Sequence, residues 1–368
     1  MRAGRLNLLT DVAGLSVGNA HDAASCSGVS VVLCDAPAVA AVDVRGGGPG
    51  TRETDALGLA GTVEAIHAVV LSGGSAFGLA AAGAVQERLA KSGVGFKVGD
   101  IAVPIVPQAV LFDLAVVARP EPPLPDLYRR LALAACEDAS QGAFALGSAG
   151  AGYGATTARL RGGLGSASAL LEDGITVGAL VAVNPVGCVT CGEAGHFWAH
   201  PFEIGEEFGG LGGPAAAVRL PTAPRLKGWA SALGAPGPMR PGGAGQNTTI
   251  AVIATNVRLD RRQCHRLAVM AQTGLARAIH PVHTPLDGDS VFAIATGYVS
   301  LRDAVYGLAE LGSVAADTLS RAVARAIYMA DAPPPHWRGP PAWRHLFATP
   351  VRSQPDHASR TATDENEP

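Results

Sequence analysis

The chain has 368 residues, of which 48% are hydrophobic and 16% charged, with a formal net charge of -3. This is ample apolar material for a core, and the near-neutral balance excludes a basic nucleic-acid surface; with aromatics at 5% there is also little to stack on bases. The 47 glycines favour close backbone packing and tight turns rather than low complexity, because Val, Leu and Ile runs interrupt them throughout.

In chain order, the opening MRAGRLNLLTDVAG carries no apolar run of signal-peptide length, and no stretch reaches the ~20 residues of a membrane span. A cytoplasmic chain is expected, in which Cys26, Cys34, Cys136, Cys188, Cys191 and Cys264 are buried free thiols. Residues 29–34 and 39–45 are β-rich runs either side of Asp-Ala-Pro-Ala and read as a hairpin. The run 66–71 ends at Ser72-Gly73-Gly74, and a helix is predicted from Ser75, as N-cap, to Lys91, stopped at Gly93. A second helix fits 126–139, and residues 159–190 hold two strands, of which 174–183 is apolar enough to be buried on both faces.

Residues 199–246 are rich in Pro and Gly and read as a long linker. It ends where TTIAVIATNV begins a clear strand at Thr248. An amphipathic helix over 260–278, a strand over 290–296 and a helix over 313–330 follow. Residues 336–368 read as a disordered tail behind a single domain spanning 1–335. Strands and helices in mixed order, without strict βαβ alternation, favour an α/β fold of stacked sheets with outer helices over a Rossmann fold.

The chemistry concentrates at three places. In GGAGQNTTI (242–250) a glycine-rich connector runs straight into the strand at Asn247-Thr248. A Thr at a strand start is ordinary. If the chain is cut before Thr248, however, the new α-amine, with a pKa of about 7.7–8.0, becomes a base beside the hydroxyl it must activate. Asp287 and Asp289 flank a glycine just before a strand: either a turn, or a carboxylate pair that orients the nucleophile. Asn184 ends a buried strand and is either a turn former or an oxyanion donor.

Other patterns weigh less. Cys188, Cys191, His196 and His200 have zinc-ligand types, but the loop before the first His is short for a finger, and two thiols with two loop histidines is the plainer reading. Residues 45–50 and 150–154 lack the Lys-Ser/Thr of a phosphate loop and read as backbone turns, and His280 and His283 as supporting or surface groups. No metal or cofactor is expected.

GGSAFGL (73–79), GGLGSAS (162–168), Asn184-Pro185, Asn247-Thr248-Thr249-Ile250, ATNVR (254–258) and DGDSVFAIATG (287–297) occur in one order. Together they resemble the family of L-aminopeptidase/D-esterases, β-peptidyl aminopeptidases and nylon-oligomer hydrolases, over roughly residues 10–330. The resemblance implies two stacked sheets between helix layers (αββα), similar to N-terminal-nucleophile hydrolases. It implies self-cleavage into 1–247 and 248–368. It makes Thr248 the nucleophile, Asn184 the oxyanion donor, and Asp287 and Asp289 the orienting pair, as in the nylon-hydrolase branch. Phe112 stands where that branch has a Tyr, and Arg159 aligns where relatives carry a Lys; with Asn256 these are the candidate substrate contacts. The implied partners are a small amide or short peptide and further copies of the chain, a tetramer being plausible. Two other classes stay open: an acyltransferase like ornithine acetyltransferase using the same Thr, and an uncut scaffold.

Overall fold

The computed structural model describes residues 1–117, 124–191, 195–214, 226–227 and 247–347. Its elements are β1 (Leu15–Asp22), β2 (Ser27–Val44), β3 (Gly50–Arg52), β4 (Ile66–Ser72), α1 (Ala80–Lys91), β5 (Phe96–Val98), β6 (Ile101–Val103) and β7 (Gln108–Val110). These are followed by α2 (Leu124–Asp138), β8 (Gly163–Leu170), β9 (Thr176–Asn184), β10 (Thr190–Cys191), β11 (His196–Phe197), β12 (Thr248–Arg258), α3 (Arg261–Ala278), β13 (Ser290–Ser300), α4 (Tyr306–Tyr328) and α5 (Trp343–Phe347). Among the described residues no helix is long and apolar enough to cross a membrane.

The main sheet runs β3-β7-β4-β2-β13-β12-β9-β8, with β1 paired to β2. Strand alternation sorts its side chains into layers. In β12, Ala251 and Ile253 enter the core against α3 and α4, while Ile250, Val252 and Ala254 face an inner core. In β9, Val181 and Val183 go with the helices, and Leu180 and Ala182 with the inner core. On the other half of the sheet, Val69 and Leu71 of β4 meet that same inner core, while Ala68 and Val70 pack under α1 and α2. The order is helices, sheet half, inner core, sheet half, helices: the αββα arrangement expected.

The predicted hairpin over 29–45 is one 18-residue strand, β2. Its first part pairs with β1 and β4 and its last part with β13, and its register with β4 shifts between Leu33 and Ala38. Asp35, Ala36 and Pro37 are exposed at the shift, so the Pro, which has no N–H for a ladder, marks an irregularity within a strand and not a turn between two. This strand carries the chain from one half of the sheet to the other.

Ser75 does not cap α1. It opens a 3-10 turn, Ser75–Leu79, at φ 53° behind Gly74 at φ 84°, and the α-helix starts at Ala80. The turn is pinned by buried Asp113, which accepts from the Gly74 N–H at 2.8 Å and the Ser27 hydroxyl at 2.6 Å. Burial pushes that carboxyl up to about 7.

The expected tail is also shorter than read. Trp343 is buried, stacked on Phe197 at 5.5 Å and tilted against Tyr328 at 5.3 Å, so an aromatic group behind the proline run docks on the helix-side core. Residues 348–368, and most of the predicted linker, lie outside the described residues.

Candidate active site

Three strand ends meet at the site. Strand β12 lies between β9, antiparallel, and β13, parallel. The β9 register sets Thr248 opposite Asn184, and the β13 register sets Ile250 beside Ser290, which brings the Asp287-Gly288-Asp289 turn alongside the start of β12. Thr248 is 2% exposed, and Asn184, Asp287 and Asp289 are fully buried. Sequence separations of 64 residues, from Asn184 to Thr248, and of 40, from Asn247 to Asp287, are thus closed by backbone register, and Asn247, Thr248, Asn184 and both aspartates come together.

The peptide bond before Thr248 is held from two sides. The Thr248 hydroxyl donates to the Asn247 carbonyl at 2.5 Å, and the Gly288 N–H donates to the same oxygen at 2.9 Å. A Cβ on Gly288 would come within 2.7 Å of the Thr248 Oγ1, so this turn needs glycine for close approach. A Cβ on Gly46 would meet the Asp287 carbonyl and Asp289 nitrogen at 2.4 Å. The Arg45–Gly50 run, read above as a backbone turn, thus packs its bare backbone against the acidic turn, with the Gly48 N–H donating to the Asp287 carbonyl at 2.7 Å.

The aspartates act through their neighbours. Asp289 accepts from the Thr249 N–H at 2.7 Å and the His283 N–H at 3.1 Å, with the His283 ring Nδ1 2.8 Å away. Asp287 accepts from the Val186 N–H at 2.9 Å and from the Thr284 N–H and hydroxyl at 2.9 and 2.6 Å. Burial, then the charge of Asp289, raises the Asp287 pKa. The pair orders the loop and the first residues of β12, which is more indirect than a contact with the Thr248 hydroxyl. His283, set aside as a supporting group, is the neighbour of Asp289.

Asn184 directs its Oδ1 to the Thr156 N–H at 2.9 Å and its Nδ2 to the Phe112 carbonyl at 3.1 Å. Phe112 therefore reaches the site through its backbone. Arg159 lies in the Thr157–Leu160 turn, its N–H on the Thr157 hydroxyl at 3.4 Å. Asn256 does not belong to the site. It sits eight residues further along β12, roughly 27 Å away in an extended strand, where it bridges the Thr176 N–H and the Gly174 carbonyl. Its sequence signal is its place within the ATNVR motif, and its side chain ties strand ends together. Cys191 and His196 face each other across β10 and β11, and the Cys188 backbone bridges His280.

The residue missed in the sequence is Lys227. Its ammonium donates to the Thr156 carbonyl and hydroxyl at 2.9 and 3.0 Å and to the Asn184 Oδ1 at 3.0 Å, while its backbone N–H donates to the Val186 carbonyl at 2.8 Å. Burial lowers its pKa to about 7, against the opposing pull of Asp287. A single Lys in a Pro/Gly-rich segment gave no periodic or motif signal. Its folded pKa lies below the unfolded value of 10.5, so the cost of burying its charge is full below about pH 7 and disappears as pH rises toward 10.5. Lys227→Met is expected to cut turnover about 10- to 100-fold, the effect of stripping a charged partner from buried acceptors. The thermal midpoint of the parent should also gain on that of the variant between about pH 7 and 10. Equal turnover and a pH-independent difference in midpoint would remove Lys227 from the site.

The sequence profile of peptidase family S58 matches residues 7–334. The chain is 40% identical over 352 residues to an uncharacterized aminopeptidase of Mycobacterium leprae (strain TN), covering 90% of this chain and 92% of that one. It is 33% identical over 308 residues to a 6-aminohexanoate-oligomer endohydrolase of Kocuria sp. (strain KY2), covering 81% and 77%. The solved structure of an L-aminopeptidase D-Ala-esterase/amidase from Ochrobactrum anthropi, described as a variant of the Ntn hydrolase fold, superposes with a TM-score of 0.66 at 21% identity, over 92% of each chain; at that identity it speaks for the fold alone. With its profile match spanning most of the sequence and a relative at 40% identity over nearly its whole length, the chain belongs to peptidase family S58 and is a hydrolase of amide bonds.

Proposed function

We propose that this hydrolase cuts its own Asn247–Thr248 bond and then uses Thr248, as a new N-terminal residue, to open amide bonds of short peptides or amide oligomers through an acyl-enzyme. The observation that supports it is the Thr248 hydroxyl lying against the Asn247 carbonyl, whose oxygen also accepts from the Gly288 N–H. In the first step the Thr248 Oγ1 bonds to the Asn247 carbonyl carbon, the Asn247–Thr248 C–N bond breaks, and the hydroxyl proton ends on the Thr248 nitrogen. Charge that develops on the carbonyl oxygen is met by the Gly288 N–H. Water then opens the ester, which leaves an Asn247 carboxylate, a free hydroxyl and a free α-amine.

In turnover that amine takes the hydroxyl proton as the Oγ1 attacks the substrate carbonyl, and gives it to the leaving amine. Asn184, fixed by Thr156 and Lys227, offers its amide to the oxyanion. The names of the relatives point to amino-terminal peptides or 6-aminohexanoate oligomers as substrates.

Intact mass spectrometry with Edman sequencing tests the reading. Purified active protein is expected to contain fragments 1–247 and 248–368, the second beginning with Thr. Active protein with a single N-terminus at Met1 overturns it.

A further inference from the structure

We infer that the acyl half of the substrate is uncharged where it lies next to Thr248, so that a short apolar acyl group is accepted and an ammonium close to the scissile carbonyl is rejected. The inference rests on Thr248 as the nucleophile. A cavity of about 300 Å³ has Thr248 in its lining. That is the small end of the range for ligand pockets. Its remaining walls come from Leu79, Val110, Leu111, Pro49 and Ala76, with glycine backbone and Ser75. Among the described residues that line it, none is charged, and the polar side chains are those of Ser75 and Thr248.

The nearby carboxylates do not offer themselves as counter-ions. Asp287 and Asp289 are fully buried and already accept from Val186, Thr284, Thr249 and His283. Nor is the wall free to rearrange. The Ser75 N–H is bound to the Leu111 carbonyl at 2.9 Å, the Gly74 N–H to Asp113, and the Val110 side chain packs so closely over Gly50 that a Cβ there would meet it at 2.5 Å. An ammonium brought into such a cavity loses its water without gaining a partner, whereas a methyl group of the same shape gains burial. Aminopeptidases act on a free amino end, so this places the chain's preference apart from the name its mycobacterial relative carries.

The experiment compares isosteric p-nitroanilides on the full processed protein, at about pH 6.5, where the amines carry their charge. Isobutyryl anilide is set against L-alanyl anilide, and butyryl against β-alanyl; each pair exchanges a methyl for an ammonium. The expected result is a kcat/KM at least about 100-fold higher for the neutral member of both pairs. In Val110→Glu, which places a carboxylate in the wall, the ratio should fall at least about tenfold. Equal or reversed preference in the parent overturns the inference while leaving Thr248 hydrolysis standing, provided mass spectrometry finds the acyl group on the Thr248 peptide. Absence of both turnover and acylation with all four substrates sinks the proposed function, and the substrate claim with it.

Discussion

Thr248→Ala is expected to run as one uncut chain of 37.1 kDa and to lose turnover by about 10⁶-fold, the scale on which removal of an activated nucleophile acts. The hydroxyl faces the Asn247 carbonyl and, under the proposed cut, would become part of a new N-terminal residue. Its removal leaves the backbone pairing of β12 with β9 and β13 in place, so the uncut variant should fold with a cooperative melt. Thr248→Ser keeps the hydroxyl and should retain partial processing and turnover. Thr249→Ala should still be cut, because the Thr249 contact with Asp289 runs through its backbone N–H. Gel mobility, intact mass and amide turnover read all three variants. Wild-type turnover in Thr248→Ala would require another nucleophile.

The second large effect belongs to the acidic pair. Asp287→Asn and Asp289→Asn are each expected to reduce turnover by up to about 10⁴-fold, as when an orienting carboxylate leaves a catalytic array. A merely structural turn would respond within about ±0.5 kcal/mol of stability and show no such loss. The two variants should differ in their pH dependence. The charge of Asp289 helps to hold the Asp287 pKa up, so its removal lets that pKa fall, and any acid-side inflection set by Asp287 moves to lower pH in Asp289→Asn. Processing should be slower yet detectable in at least one variant, since in the proposed route the first cut draws on the carbonyl contact and the Gly288 N–H before any α-amine exists. Near-normal turnover in both would take the carboxylates out of the mechanism.

Much of this candidate site is legible in the sequence because its residues sit at strand ends with sharp composition changes. Thr248 follows a glycine-rich run, Asn184 ends a uniformly apolar strand, and the two aspartates bracket a glycine before another such strand. What joins them is register between distant strands, which no local pattern reports. The same limit hid the single course of β2: Asp-Ala-Pro-Ala has turn chemistry, yet pairing with β1, β4 and β13 keeps the strand extended through it. Trp343 was lost to a proline-rich context, although a buried indole outweighs local propensity once a core offers Phe197 and Tyr328. Lys227 leaves no mark in the sequence because its contacts with Thr156 and Asn184 come from where it is buried and from nothing in its neighbours.

The position of β12 between β9 and β13 has a consequence for how the mature protein comes apart. Under the proposed cut, the strand that leads the small fragment is flanked on both sides, by β9 of the large fragment and by β13 of its own. Before the cut, unfolding and refolding are events within one molecule. Afterwards, two chains must find each other before the centre of the sheet can reform, so the reverse step becomes bimolecular and its equilibrium depends on concentration. Maturation therefore exchanges a reversible fold for one whose endurance is set by the rate at which it first opens, and dilution after denaturation should make that loss permanent.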